Sequence, residues 1–189
     1  MTVKVLIVGF GGQYNHLIKR SIERIGHEAN LLLYTSPPPS PDDFDCVIFG
    51  GGPLTMPKDF EKVKGLRTYL EWKKPLLGIC LGHQVLALLN GGEVGPSPKP
   101  EYGDVVIYVD DEDDILKGMG PKFRAWESHN EEVTKEPTNS KVIAHSENTR
   151  VQALKYLNGP YYGVQFHPEV QHTEKGLQVF QNFVELCKR

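Results

Sequence analysis

A cysteine stands at the bend between a short apolar strand and a helix, and this bend constrains the fold more than any other feature. The bend is Gly78-Ile79-Cys80-Leu81-Gly82, between the apolar run 75–77 and the helix-forming run 83–89. Glycines two residues before and after the cysteine are typical of a nucleophile elbow, a tight turn with little room for side chains. The helix would also point its positive N-terminal end at the sulfur, which favours the thiolate. The pattern predicts covalent catalysis by Cys80.

The first half of the chain alternates between two kinds of hydrophobic pattern. Residues 3–8, 29–34 and 46–49 are short apolar runs typical of buried strands, whereas 13–25 and 60–72 have apolar residues at helical spacing. Alternating strands and helices favour an α/β fold. We therefore predict an open, mostly parallel central sheet with helices on both faces.

The pattern changes after residue 92. Residues 104–109, 124–126, 141–145 and 151–156 resemble shorter strands separated by turns. We expect them to form a mixed or antiparallel extension of the same sheet, followed by a last strand at 161–166 and a last amphipathic helix at 176–187. A chain of 189 residues suits one domain, predicted here over residues 1–189.

Charge and cysteine content narrow the class of protein. The net charge of −3 gives no support for nucleic-acid binding, and no apolar run is long enough to cross a bilayer. The three cysteines, Cys46, Cys80 and Cys187, are too few and too scattered for a disulfide framework. We therefore expect Cys46 to be a buried core thiol and the protein to work in a reducing cytoplasm.

A cysteine nucleophile needs a base, and the base needs a group that orients it. Residues 163–169, Gly-Val-Gln-Phe-His-Pro-Glu, provide both, because a strand would deliver His167 at its end and Pro168 would keep Glu169 nearby. The predicted roles are Cys80 as nucleophile, His167 as proton acceptor and donor, and Glu169 as the group that fixes the imidazole tautomer.

Two other interpretations of these residues stay open. His167 could simply end a core strand, with Glu169 solvated. A metal could be held by His167, Glu169 and His172, or by Cys80 and His83, although neither set has a recognised zinc spacing with a complete ligand count. We therefore expect no metal in this chain.

Two glycine-rich segments follow strands. Phe49-Gly50-Gly51-Gly52-Pro53 could present backbone N–H groups, and the Gly52 and Leu81 amides would then form an oxyanion hole. A plain glycine turn is the alternative. Gly9-Phe10-Gly11-Gly12-Gln13-Tyr14 lacks the third glycine of a dinucleotide fingerprint, and the chain has no phosphate-binding loop ending in Gly-Lys-Ser/Thr.

The cysteine and histidine motifs together resemble the class I glutamine amidotransferase family. Gly-Ile-Cys-Leu-Gly-His-Gln, ending at Gln84, is similar to its nucleophile motif, and Phe-His-Pro-Glu, ending at Glu169, is similar to its His/Glu motif. Phe-Gly-Gly-Gln-Tyr at 10–14, Glu-Tyr-Gly at 101–103 and His-Thr at 172–173 resemble the glutaminases of the GMP synthetase branch. The likeness extends in order over almost the whole chain.

This resemblance implies a function and a partner. A Cys-His-Glu triad would hydrolyse glutamine to glutamate and ammonia, and a separate ATP-pyrophosphatase subunit would use that ammonia to aminate XMP to GMP. The resemblance implies no cofactor in this chain, with ATP and Mg²⁺ on the partner subunit. It also implies glutamine binding by Gly51, Gln84, Glu101, Tyr102, Ser128, His129 and Asn130.

The sequence departs from that branch at two places. Asn130-Glu131 follows Ser128-His129 where Gly-Asp is common, and Leu81 replaces a common tyrosine. Leu81 also fits the anthranilate and carbamoyl-phosphate branches, so a glutaminase subunit of either kind stays open. Two further alternatives also stay open: a free-standing γ-glutamyl hydrolase, and a non-enzymatic domain that uses Cys80 as a redox-sensing thiol.

Overall fold

One nine-stranded sheet organises the chain, and the computed structural model describes all residues, 1–189. The strands follow the order β2-β1-β3-β4-β9-β8-β7-β5-β6 across the sheet. Their bounds are β1 Lys4–Gly9, β2 Glu28–Leu33, β3 Cys46–Phe49, β4 Leu76–Ile79, β5 Glu93–Val109, β6 Lys122–Lys135, β7 Ser140–His145, β8 Ala153–Tyr156 and β9 Tyr161–Val164. The helices are α1 Asn15–Arg24, α2 Thr68–Glu71, α3 Leu81–Leu89 and α4 Gly176–Cys187.

The sheet has a parallel half and an antiparallel half. Strands β2, β1, β3, β4 and β9 pair in parallel, and β8, β7, β5 and β6 pair antiparallel beyond them. In the parallel half every strand ends at the same edge, so the segments after β3, β4 and β9 come together there. This edge is where an open α/β sheet places its ligands.

Helices cover both faces of the sheet, as predicted. Ile18 and Ile22 of α1 and Phe180 and Phe183 of α4 are buried in one hydrophobic cluster, whereas Leu86 of α3 lies in a second cluster. Strands β4 and β9 place residues in both clusters, so apolar packing fixes these two strands from both faces of the sheet. None of the four helices combines the length and hydrophobicity that crossing a membrane requires.

The structure corrects two predictions about secondary structure. Residues 60–72 do not form one helix, because they are divided into 3-10 turns at Phe60–Lys62 and Lys64–Arg67 and the single turn of α2. The strands predicted at 104–109 and 124–126 are too short, since β5 and β6 form a hairpin of 17 and 14 residues. This hairpin returns to the edge where the parallel strands end, and Trp126 there forms an isolated antiparallel bridge with His167.

The prediction of a free core thiol at Cys46 was wrong. Cys46 at the start of β3 and Cys187 at the end of α4 form a disulfide with a Cα–Cα distance of 5.8 Å. Both residues are buried, and Cys80 is the only free cysteine. The disulfide ties the C-terminal helix to the centre of the sheet. Such a bond is uncommon in reducing compartments, with intracellular proteins of hyperthermophiles as a known exception.

Candidate functional site

Cys80 lies on a strained turn between β4 and α3. Its φ of 54° and ψ of −107° are unusual for a residue other than glycine. The Cys80 N–H donates to the Val164 carbonyl at 2.8 Å, which fixes the turn against β9. A Cβ on Gly82 would come within 2.1 Å of the Phe49 carbonyl oxygen, so only glycine allows α3 to begin so close to β3. The turn is the nucleophile elbow predicted from the sequence.

His167 and Glu169 follow β9 and reach the same edge as Cys80. His167 Nδ1 lies 2.7 Å from Glu169 Oε2, and His167 lines the same chamber as Cys80. Burial opposes charging of the ring, but the attraction of Cys80 and Glu169 dominates and raises the pKa of His167 well above its usual value. The surroundings of His167 therefore favour its imidazolium form.

The loop after β3 supplies a free backbone donor beside the sulfur. The Gly52 N–H donates to no other group of the chain, and Leu81 is the first residue of α3, where an N–H has no intrahelical partner. Asn15 holds the loop by accepting from the Gly51 N–H at 2.9 Å and donating to its carbonyl at 3.0 Å. The assignment of the Gly52 and Leu81 amides to an oxyanion hole stays a prediction.

An open cleft gives access to Cys80 from two sides. A chamber of about 350 Å³ is lined by Gly51, Gly52, Ser128, His167 and Glu169, and an adjoining chamber of about 200 Å³ is lined by Gln84, Leu81, Tyr102, His129 and Asn130. Both chambers reach Cys80. The structure thus brings the predicted substrate-binding residues together, except for one carboxylate that lines neither chamber, Glu101.

Glu101 lies behind the cleft and holds His129. Its Oε1 is 2.7 Å from His129 Nε2, and its carboxylate also accepts hydrogen bonds from Ser146, Thr149 and Gln152. His129 Nδ1 lies 2.8 Å from the Glu131 carbonyl. Both ring nitrogens therefore face oxygen atoms, which fixes the orientation of the ring. Glu101 acts on the cleft by positioning His129.

No complete metal site accompanies this cluster. The ligand atoms of Glu101, Glu127 and His129 lie within 4.8 Å of one another, which is compatible with a cation. However, both ring nitrogens of His129 are already engaged by oxygens, at 2.7 Å from Glu101 and 2.8 Å from the Glu131 carbonyl. The cluster is better described as a buried hydrogen-bonded network.

The two histidines considered as alternative metal ligands also have structural roles. Burial, with a smaller contribution from His129, lowers the pKa of His83 to about 3, so its ring is neutral. A Cβ on Gly163 would come within 2.2 Å of His83 Nδ1, which shows how tightly the ring packs behind the elbow. His172 packs against the Trp126 ring with centroids 5.0 Å apart.

Glu127 is a buried carboxyl group beneath the site that sequence analysis missed. It is fully inaccessible, and neither oxygen has a hydrogen-bond partner when the group is treated as a carboxylate. Burial and the nearby charge of Glu101 raise the pKa of Glu127 well above its usual value. Glu127 is therefore a neutral acid, and no negative charge repels the Cys80 thiolate from below.

A Glu127→Gln substitution tests this neutral state through stability. Because the folded pKa lies above the unfolded one, the contribution of Glu127 to folding is complete below about pH 4.3 and is lost as the pH rises toward the folded pKa. We expect the variant to gain stability relative to wild type by up to about 1.4 kcal/mol per pH unit across that window. Urea unfolding from pH 4 to 9 measures it. The exposed Glu147→Gln serves as control, and an equally flat difference for both variants would contradict the neutral state.

Two further site residues, Asn15 and Gln165, were absent from the sequence prediction. Asn15 begins α1 and braces Gly51, and Gln165 immediately follows β9 with its side chain against Cys80. Gln165 directly follows β9, whereas Asn15 stands at the start of the helix after β1, and these positions were the only available signal. An isolated polar residue in such a position is too common to be diagnostic.

Comparison with known proteins places this geometry in a family. A family model described as glutamine amidotransferase class-I matches residues 6–187. The chain belongs to the class I glutamine amidotransferase family. Members with similar sequences include a subunit of the glutamine-hydrolysing GMP synthase of Ignicoccus hospitalis, 85% identical over 99% of this chain and 100% of the relative. The protein of the same name from Sulfurisphaera tokodaii is 47% identical over the same shares of both chains.

Solved structures agree with the family assignment. A crystal structure described as that of a GMP synthase subunit from Thermoplasma acidophilum superposes with a TM-score of 0.92 at 29% identity, covering 100% of this chain and 95% of that chain. A glutamine amidotransferase from Thermotoga maritima has a TM-score of 0.79 at 20% identity, and the match covers 100% of this chain and 83% of that chain. The predicted α/β fold class is confirmed.

Proposed function

We propose that this chain is the glutaminase subunit of a two-subunit GMP synthase. The observation that carries the proposal is a Cys80–His167–Glu169 constellation on a strained elbow, in a chain 85% identical to a protein named as one subunit of a glutamine-hydrolysing GMP synthase. The substrate is then glutamine, and the chain acts as a glutamine-hydrolysing amidotransferase.

The first chemical step is attack of the Cys80 thiolate on the side-chain amide carbon of glutamine. A C–S bond forms, and the carbonyl electron pair moves to oxygen to give a tetrahedral oxyanion. The Gly52 and Leu81 N–H groups stabilise that charge, and a single such donor is worth about 3 kcal/mol of barrier. The remaining site residues, among them Ser128 and Asn130, would bind the backbone ends of glutamine.

His167 then completes the exchange of ammonia for water. It gives its proton to the amide nitrogen, the C–N bond breaks, and ammonia leaves a glutamyl thioester on Cys80. A water molecule loses its proton to His167 and attacks the thioester, and the thiolate departs as glutamate is released. Glu169 keeps the Nδ1 proton in place throughout, so that Nε2 faces the reacting atoms.

The proposed partner is an ATP-pyrophosphatase subunit that adenylates XMP. ATP and Mg²⁺ would bind to that subunit, and this chain would need no cofactor. Ammonia in neutral water is mostly protonated and then no longer a nucleophile, so it must pass to the partner without meeting bulk solvent. Docking of the two subunits as a heterodimer is therefore part of the proposed chemistry, and we place it in the cytoplasm, where ATP and XMP are available.

Coupling between the subunits tests this proposal. We expect weak glutamine hydrolysis by the isolated chain and an increase of at least about tenfold when the synthetase subunit, XMP and ATP–Mg²⁺ are all present, which corresponds to an activation barrier lower by about 1.4 kcal/mol. Glutamate release measured with each component omitted in turn gives the answer. Equal turnover with and without the partner would instead support a free-standing γ-glutamyl hydrolase.

A further inference from the structure

The side chain of Gln165 makes a contact with the nucleophile that the mechanism has not used. Its Nε2 lies 3.5 Å from Cys80 Sγ, within range for a hydrogen bond to sulfur. Gln165 is completely buried, and its backbone N–H is fixed by the Gln152 carbonyl at 2.8 Å. A buried amide in this position must direct either its NH₂ group or its oxygen at the sulfur.

The surrounding hydrogen bonds decide which end of the amide faces Cys80. The Glu131 backbone carbonyl can only accept, and it lies 3.0 Å from the Gln84 amide, which must therefore present its NH₂ group there. The same Gln84 nitrogen is 3.2 Å from the Gln165 amide, which must present its oxygen. The NH₂ group of Gln165 is then left facing the sulfur.

We propose that Gln165 is a catalytic residue whose amide donates a hydrogen bond to the Cys80 thiolate, with its orientation imposed by Gln84 and the Glu131 carbonyl. A thiolate has no proton to donate and gains from an N–H donor, whereas a neutral thiol can donate to the nearby Ser128 carbonyl, 3.7 Å from Sγ. Gln165 therefore favours the thiolate. It also holds the sulfur in place between attack and departure of glutamate.

Few other charged or titratable groups act on this sulfur. His167, on the loop after β9, supplies the positive partner, and Glu127 of β6 lies below as a neutral acid. Gln165 adds a fixed neutral dipole, whose effect does not depend on its own ionisation. Removing the Gln165 amide should therefore shift the pH at which Cys80 ionises without introducing a second inflection in the pH profile.

The pH dependence of Cys80 alkylation tests the proposal. Cys80 is the only free cysteine, so iodoacetamide reports on a single thiolate. In Gln165→Met we expect the midpoint of the rate–pH profile to rise by about one unit, with alkylation about tenfold slower at any pH below the midpoint. An unchanged midpoint in the folded variant would overturn the proposal.

A second variant tests the orienting role of Gln84. Gln84→Met should shift the midpoint in the same direction but by less, because Gln165 keeps its amide but loses the group that orients it. The double variant should match Gln165→Met alone, since Gln84 acts only through Gln165. Additive shifts would overturn the assignment. Gln178→Met is the matched control, because this partly buried amide on α4 bonds to Asn182 and lines neither chamber that reaches Cys80.

One measurement needs no variant. The side-chain NH₂ resonances of Gln165 in the wild-type protein should titrate with the alkylation midpoint, and resonances that stay constant across it would overturn the proposal. The role of Gln165 in catalysis rests on the proposed function, whereas its hydrogen bond to Cys80 does not. Alkylation and resonance shifts require neither glutamine nor the partner subunit, so a negative result would leave the proposed glutaminase intact.

Discussion

Replacing Cys80 with alanine is expected to lower the rate of glutamine hydrolysis by at least about ten-thousand-fold. Alanine has no nucleophile, and loss of a nucleophile from a triad costs about as much as loss of the whole triad. The fold should survive for two reasons. Alanine, like cysteine, has a Cβ and can adopt the positive φ of residue 80, and the close approach of Gly82 to Phe49 is unchanged. Glutamate release in the presence of the partner subunit, XMP and ATP–Mg²⁺ measures the loss.

A matched cysteine variant separates chemistry from folding in this experiment. Cys187→Ala also removes a buried cysteine sulfur, but one at the end of α4 and in a disulfide, and it should retain glutamine hydrolysis at 25 °C. Addition of ammonium salt should restore GMP formation by the Cys80→Ala complex, since ammonia then bypasses the missing step. Residual glutaminase above about one per cent of wild type would contradict a nucleophilic Cys80.

Loss of the Cys46–Cys187 disulfide is expected to destabilise the fold by about 4 to 5 kcal/mol. The bond closes a loop with a sequence separation of 141, and the entropy it removes from the unfolded chain grows with loop length. It also anchors α4, whose Phe180 and Phe183 belong to the core beneath the sheet. Denaturant unfolding of Cys187→Ala against wild type, both without reductant, measures the difference.

The disulfide can be distinguished from simple cavity formation. Cys46→Ala, Cys187→Ala and the double variant should lose nearly the same stability, and excess reductant should bring wild type close to them. A thiol titration of the unfolded, non-reduced wild-type chain should find one free thiol, that of Cys80. Three free thiols would show that the bond is absent.

Local sequence patterns predicted the catalytic edge because they describe interactions between neighbouring residues. The elbow requires glycines on either side of Cys80, and the segment ending in Glu169 places an imidazole and a carboxylate two residues apart after a strand. Parallel strands end at one edge, so the joining of these distant motifs followed from the fold class.

Long-range features were not predictable in the same way. The Cys46–Cys187 pair depends on α4 returning to β3, which no spacing in the sequence reports. The β5–β6 hairpin was predicted too short because prolines and glycines interrupt β5, and its register shifts between Pro96 and Glu101. Gln165 was missed because its role depends on three hydrogen-bonding groups from different elements.

The most direct test of the account is covalent labelling with a diazo-ketone analogue of glutamine, followed by peptide mass spectrometry. Such an analogue alkylates the group that attacks the glutamine side chain. The account predicts one adduct, on the peptide that contains Cys80, protected by glutamine and lost in Cys80→Ala. An adduct on any other residue, or none with the partner and its nucleotides present, would contradict attack by Cys80 on glutamine.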